Sequence, residues 1–318
     1  MHKYTQDISK SQIQPQIGLL NIKQASKILG VHPDTLRRWE KEGTLVSIRL
    51  GARRDRRYQL ADVERMIQNT DNINSTLTTM DPKKLILESK AILFDVADTL
   101  ITPFPSRGGV LSNIALDRGI KVNPELAEQV FRTKYNDWEK EKLFSDEYIQ
   151  ASSEIRKKLY IKLNADILKE CNPASPYETL LAIGEDVYIN MYSNSKCWKV
   201  IDGVENFLIK QKEAGKRLGV IDNWNKNMFK ILEDLHLSNY FEFIISGGEL
   251  GIRKPSRDIF IHSLNLLNLS SEKVVFIGDR YIDDILGSKS ANIQPILYDP
   301  KHESKFVETP KFSLYSEL

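Results

Sequence analysis

Asp95 and Asp98, followed by Thr99, close an apolar run that begins at Ala91, and later acidic points of the chain share that setting. Asp222 and Asn223 end RLGVID, Asp279 ends KVVFIGD with Asp283 and Asp284 close behind, and Arg253, Lys254 and Pro255 follow FEFIIS. Each run is rich in β-branched or aromatic residues and reads as a buried parallel strand that delivers polar groups at its carboxyl end. All of these groups then converge in one crevice at the sheet's edge. Several carboxylates around one lysine suit Mg2+ together with an anionic ligand, because hard oxygens hold the cation and the ammonium balances the anion. Mg2+ and a small anionic or phosphorylated ligand are therefore the expected cofactor and small-molecule partner.

The elements that position these residues follow from the pattern. From residue 85 onward strands and helical stretches alternate, which argues an α/β fold with a doubly wound parallel sheet. Between the first strand and RLGVID lies an insertion over 103–199 whose long stretches, such as PELAEQVFRTKYNDWEKEK and YETLLAIGEDVYINMYS, have helical periodicity and few strand signals. It is too long for a loop and reads as a helical cap over the sheet's edge. The larger domain is expected over 85–318, with its core at 85–102 and 200–318.

A different module stands in front. Residues 1–18 lack periodicity and read as a disordered arm. NIKQASKILG places Ile22, Ala25, Ile28 and Leu29 on one helical face, and VHPDTLRRWEKEG offers Pro33 at a helix start, Leu36 and Trp39 facing inward, and Gly43 as a stop. Two short helices joined by a tight turn make a helix-turn-helix. On the second helix Thr35 and Arg38 share the face away from Leu36, with Arg37 beside them, as a helix entering a major groove requires. LVSIRL, GARRD and RRYQL then form a hairpin in which Arg49, Arg53, Arg54, Arg56, Arg57 and Tyr58 are expected to grip backbone phosphates as a wing. A third helix, LADVERMI, is expected to pack back on the pair. This domain is expected over 19–68, and the polar stretch 69–84 reads as a linker that spans about 20 to 25 Å as a flexible chain.

Charge divides the same way. Of 45 Lys and Arg and 43 Asp and Glu in 318 residues, the first seventy residues hold thirteen bases against seven acids, so only the front of the chain is built for a polyanion such as double-stranded DNA. No apolar run reaches the ~20 residues of a membrane helix, and the N-terminus lacks a signal-peptide pattern, so no membrane partner and a cytoplasmic location are expected. Cys171 and Cys197 form no CxxC and read as two small hydrophobes.

Residues 19–68, with TLRRWE, the basic wing and RRY before an acidic helix start, resemble the winged helix-turn-helix of the MerR and excisionase class, which binds DNA. MerR regulators follow this module with a long dimerisation helix, which the polar stretch after it here is not. A homodimer, where it forms, must be built elsewhere.

From about Ile92 to the C-terminus the chain resembles the haloacid dehalogenase (HAD) superfamily, through FDVADTL, LGVIDNW, IRKPSRDIF and VFIGDRYIDDILG. The resemblance implies a Rossmann-like core, with Asp95 as nucleophile and Lys254 neutralising charge. Mg2+ would be held by Asp95, the main-chain carbonyl of Ala97, Asp279 and Asp284. Two positions depart from it. The general acid is replaced by Ala97, since Asp98 stands one residue too late and faces away in an extended segment. The Ser or Thr that holds the phosphoryl group is replaced by Asp222. Loss of a positioned acid costs ~10²- to 10⁴-fold, and a carboxylate facing phosphate is repulsive by about 4 kcal/mol per charge pair at ~4 Å and an effective dielectric near 20. Asp222 is expected to pair with Lys254 and fill the phosphate site from within. The phosphonatase and dehalogenase branches share the loss at Ala97, but neither matches the rest.

The sequence reads as a DNA-binding transcriptional regulator whose HAD-like domain senses a ligand or metal and has weak or lost phosphohydrolase activity. The second reading is an active Mg2+-dependent hydrolase that carries a DNA-binding module, and the blandest is a domain used only for dimerisation.

Overall fold

The fold comes from a computed structural model that describes residues 19–29, 33–50, 54–59, 62–63, 81–142, 153–302 and 309–318. The arm expected over 1–18, Arg53, and most of the third helix and of the linker lie outside the described residues. The winged module opens on strand β1 (Leu19–Asn21), continues through α1 (Ile22–Leu29) and α2 (Pro33–Lys41), and ends in the hairpin β2 (Ser47–Leu50) and β3 (Asp55–Gln59). β1 pairs antiparallel with β3, so the wing is a three-stranded sheet ordered β1-β3-β2. Three residues are too few for periodicity to reveal a strand, but the start of α1 is written in the chain. The Asn21 side chain accepts from Gln24 N at 3.0 Å and the Gln24 side chain accepts from Asn21 N at 2.6 Å, which satisfies two orphan amides reciprocally.

α3 (Pro82–Glu88) begins inside the stretch expected to be linker. Asp81 accepts from Lys83 N at 2.9 Å and Pro82 occupies a first-turn position, where its missing N–H costs nothing.

The larger domain is a six-stranded parallel sheet ordered β11-β10-β9-β4-β7-β8, built from β4 (Ala91–Phe94), β7 (Arg217–Asp222), β8 (Phe243–Ser246), β9 (Val274–Gly278), β10 (Gln294–Tyr298) and β11 (Lys311–Phe312). The chain starts at β4, moves outward to β7 and β8, then returns to the other side for β9, β10 and β11. The order reverses at β4, the position where sheets of this type bind ligands. Both faces of β4 are covered: Ile92 and Phe94 enter one apolar cluster, Ala91 and Leu93 the other. That double burial explains the unbroken apolar run in the sequence.

The insertion enters and leaves through an antiparallel ribbon, β5 (Ile101–Pro103) with β6 (Trp198–Val200), and carries α4 (Arg107–Asp117), α5 (Pro124–Lys142), α6 (Ser153–Cys171) and α7 (Tyr177–Ser193). The expected helical cap is thus present. α6 and α7 meet closely at Gly184, where an added Cβ would stand 2.5 Å from Ile161 O. Among the described residues no helix is long and apolar enough to cross a membrane.

Gly184→Ala is expected to force α6 and α7 apart at the cost of about 1–3 kcal/mol. A lowered urea midpoint, with the slope unchanged, checks this.

Candidate functional site

The carboxyl edge of the sheet gathers the charges that the sequence places at strand ends. Lys254 Nζ donates to Asp95 Oδ1 at 2.6 Å and to Asp284 Oδ1 at 2.7 Å, and all three side chains are buried. Burial alone would favour a neutral amine, yet Asp284 and Asp95 hold Lys254 well above the ordinary lysine value. Lys254 therefore does not pair with Asp222 as expected. Its loop is aimed elsewhere by Asn223, whose side chain accepts from Lys254 N at 2.8 Å and donates to Lys254 O at 3.0 Å.

Asp95, Asp279 and Asp284 each place a carboxylate oxygen within 4.8 Å of the others. Burial and the neighbouring Asp95 and Asp284 push Asp279 well above the usual carboxylate range, and burial with Asp95 nearby pushes Asp284 to about 7 despite Lys254. Asp95 Oδ2 is buried with no hydrogen-bond partner among the described residues. An all-oxygen set with an orphaned buried oxygen and mutual repulsion fits a hard divalent cation, and Mg2+ bound there would offset the crowded negative charge. Asp284 is held rigidly: it accepts from Arg280 N at 2.9 Å, and a Cβ on Gly278 would stand 2.4 Å from its carboxyl carbon.

The departures also have a geometry. Ala97 lines the crevice, in agreement with its place one residue ahead of Asp98. Asp98, however, does not face away. Its φ of 62° is left-handed, so the segment turns instead of staying extended, and its carboxylate lines the same cavity. There it accepts from Thr102 Oγ1 at 3.2 Å and from Arg107, with which it forms an ion pair. Burial raises Asp98, but Arg107 beside it overcomes this and holds it below the ordinary value. Asp222 is buried and accepts from Trp224 N at 2.8 Å and Val96 N at 3.2 Å. Burial and the adjacent Asp95 push it up to about 7, with Lys254 opposing.

Above these groups the cap closes a cavity of roughly 100 Å³. Nothing in the sequence alone points to its roof. Arg156 and Tyr160 come from α6, Tyr188 and Tyr192 from α7, and Trp224 from the core loop. Tyr192 meets Tyr188 at 4.9 Å and Trp224 at 5.4 Å between ring centroids, so an aromatic ladder joins cap to core. Helical periodicity marks these tyrosines as one face of a helix and does not say what that face covers.

At the other end of the chain, Arg37 and Arg38 are exposed on α2, paired locally with Asp34 and with Glu42 respectively, and Thr35 is half-buried beside them. Arg54 is exposed at the hairpin and Arg57 is half-buried on β3. Two of the wing arginines are otherwise engaged: Arg49 and Arg56 each reach Glu40 at 2.6 Å, tying wing to α2. Tyr58 is not on the DNA face as expected, because its ring is fully buried in the module's core with Leu20 and Leu36. It alternates with its arginine neighbours along β3 and so points inward.

Comparison with known proteins adds two family matches: the model for haloacid dehalogenase-like hydrolase fits residues 124–298, and that for MerR HTH family regulatory protein fits residues 20–68. The chain is similar to haloacid dehalogenase-like hydrolase domain-containing protein 3 of Xenopus laevis, 26% identical over 68% of this chain and 86% of that protein. It also resembles glyceraldehyde 3-phosphate phosphatase of Pyrococcus abyssi, 32% identical over 34% of this chain and 46% of that one. Among solved structures it shares its fold with the HAD-hydrolase YfnB of Bacillus subtilis bound to magnesium, at a TM-score of 0.54 and 20% identity over 72% of this chain and 96% of that one.

Glu40 carries a measurable consequence. Partial burial pushes it up, but the Ser47 hydroxyl, Arg56 and Arg49 bring it down to about 2. Because its folded value lies below its unfolded one, its contribution to stability is present above roughly pH 4.5 and is lost as the pH falls towards 2. Glu40→Gln is expected to lower the stability of the winged module at pH 7 and to flatten its loss over that acid range, as followed by thermal melts across pH.

Proposed function

Because the chain belongs to the haloacid dehalogenase-like hydrolase family and carries a MerR-type helix-turn-helix in front, we propose that it is a DNA-binding transcriptional regulator. In this reading its capped crevice binds Mg2+ and a small phosphorylated or anionic ligand without efficient turnover. Asp95, Asp279 and Asp284, with the main-chain carbonyl of Ala97, would hold the metal, and Lys254 would balance the charge at Asp95. Duplex DNA would meet Thr35, Arg37 and Arg38 on α2 and Arg54 and Arg57 on the wing. Arg49 and Arg56 act chiefly through Glu40, fixing the angle between wing and helix.

The observation that carries this reading is the Asp98–Arg107 pair. A phosphatase of this layout needs a protonated acid beside the leaving group, and Ala97 cannot supply one. Asp98 is the next residue and faces the cavity, but Arg107 keeps it ionised. Positions 97 and 98 thus hold no proton ready for a departing alkoxide, while Asp95, Asp279, Asp284 and Lys254 would hold a metal and an anion. Asp222 adds a second obstacle above about pH 7, where its carboxylate ionises beside Asp95 and repels an incoming phosphate dianion.

Two measurements test the reading. In the first, Mg2+-dependent turnover of an aryl phosphate, whose leaving group needs little protonation, is compared with that of an alkyl phosphate. The expected wild-type rate is negligible for the alkyl ester, and Ala97→Asp combined with Asp222→Ser is expected to raise it by about 10²-fold or more; turnover at ordinary enzyme rates by the wild type would instead support the active hydrolase. In the second, duplex binding is titrated with salt. Replacing Arg54 and Arg57 with Ala is expected to weaken all sequences alike and to flatten the logarithmic salt slope by about 0.9 for each phosphate that is no longer neutralised. Arg38→Ala is expected to cost about 1–3 kcal/mol and to relax sequence preference. Absence of duplex binding at low salt would remove the regulator.

A further inference from the structure

The winged module does not hang from the larger domain by its linker alone. Leu286, only 2% exposed, enters the apolar cluster of the winged module beside Leu20, Ala25 and Leu36, and Tyr281 and Ile282 pack against the same cluster. These three residues belong to a π-helical segment, Tyr281–Leu286, whose Asp283 and Asp284 are buried at the crevice. One short stretch therefore turns its acids towards the metal site and its apolar side chains towards the DNA-binding module. π turns of this sort place residues that a regular helix would misalign.

The cap reaches the same cluster. Leu159 of α6 packs against it, while Arg156 and Tyr160 on the same helix line the cavity. The winged module thus rests on the core through Leu286, and the cap joins the same apolar cluster through Leu159. On the core side there is little room for slip: a Cβ on Gly287 would stand 2.7 Å from the Phe260 ring and 3.2 Å from Pro255 Cα, next to Lys254. Movement of α6 relative to the sheet would draw Leu159 away from the cluster that Leu286 anchors and so alter the packing on which the module is seated. Close-packed surfaces of this kind switch between discrete arrangements and do not stretch.

We infer that the winged module senses the position of the cap through Leu159 and Leu286, so that filling the crevice and binding duplex alter each other's affinity. The inference rests on the regulator reading above and names how that site is regulated. Mg2+ with an anion in the crevice sets the spacing of cap and core, and this spacing decides whether the module stays seated on both. Because the linkage is thermodynamic, DNA must shift affinity for Mg2+ and phosphate by the same factor as they shift affinity for DNA.

The test uses the full chain and a fluorescent duplex at constant ionic strength, titrated with and without saturating Mg2+ plus inorganic phosphate, with Mg2+ uptake followed by calorimetry on the same samples. Wild type is compared with Leu159→Ala and Leu159→Glu, which alter a cap residue outside the crevice. Screening of DNA by Mg2+ is common to all three proteins and cancels in the comparison. A change in duplex Kd of about fivefold or more is expected in wild type, reduced in Leu159→Ala and abolished in Leu159→Glu, while each protein still binds duplex and Mg2+ separately. The inference is overturned if wild type binds both with unchanged duplex Kd, or if the full change survives in a folded Leu159→Glu. Failure of wild type to bind duplex at all removes the regulator reading, and the coupling with it, and is told apart by the missing anisotropy signal.

Discussion

A single ammonium group held between two carboxylates below the protein surface sets the conditions for the rest of this structure. Lys254 meets Asp95 and Asp284 in a setting where each charge is desolvated, and such a group survives only when its partners are fixed. The fixing is done from three directions. β4 delivers Asp95 from the centre of the sheet, Asn223 grips both main-chain polar groups of Lys254, and the turn after β9 carries Asp284 against Gly278. Asp279 and Asp222 stand close by with their carboxyls pushed up by burial and by Asp95, a crowding that a divalent cation would relieve.

In the proposed reading this arrangement separates binding from bond cleavage. The charges that would hold a metal and an anion lie in the core and are mutually braced. By the chain's resemblance to the haloacid dehalogenase family, a leaving group would take its proton from a residue just beyond Asp95, and there the chain offers a methyl group at position 97 and a carboxylate paired with Arg107 at position 98. Arg107 is itself held by aromatic faces, 5.0 Å from the Phe131 ring and 5.6 Å from Trp198, so the pair is part of the joint between cap and core.

Much of this is legible in the sequence. The apolar runs ending in Asp95, Asp222 and Asp279 identify the strands and their common edge, because a strand buried on both faces leaves no room for polar residues until it ends. The helix-turn-helix is legible through Leu36, Trp39 and the basic hairpin. What the sequence does not convey depends on distance in space. A two-residue alternation turns Asp98 away from the crevice only if the backbone is extended, and its left-handed turn breaks that rule. Tyr58 stands among arginines in the sequence, although the same alternation places it inside. The partners of Lys254, the aromatic roof and the packing of Leu286 on the winged module join residues far apart in the chain, and no periodicity marks them.

The central claim, that the crevice binds a phosphorylated ligand without cleaving it efficiently, is tested most directly by phosphorus NMR of the protein with Mg2+ and an alkyl phosphate. The predicted result is a ligand resonance shifted or broadened by binding, dependent on Mg2+ and lost in Asp279→Asn, with no free phosphate accumulating over many hours. Steady growth of the free phosphate signal at a rate of about one turnover per second or faster, the range of ordinary enzymes, would contradict it.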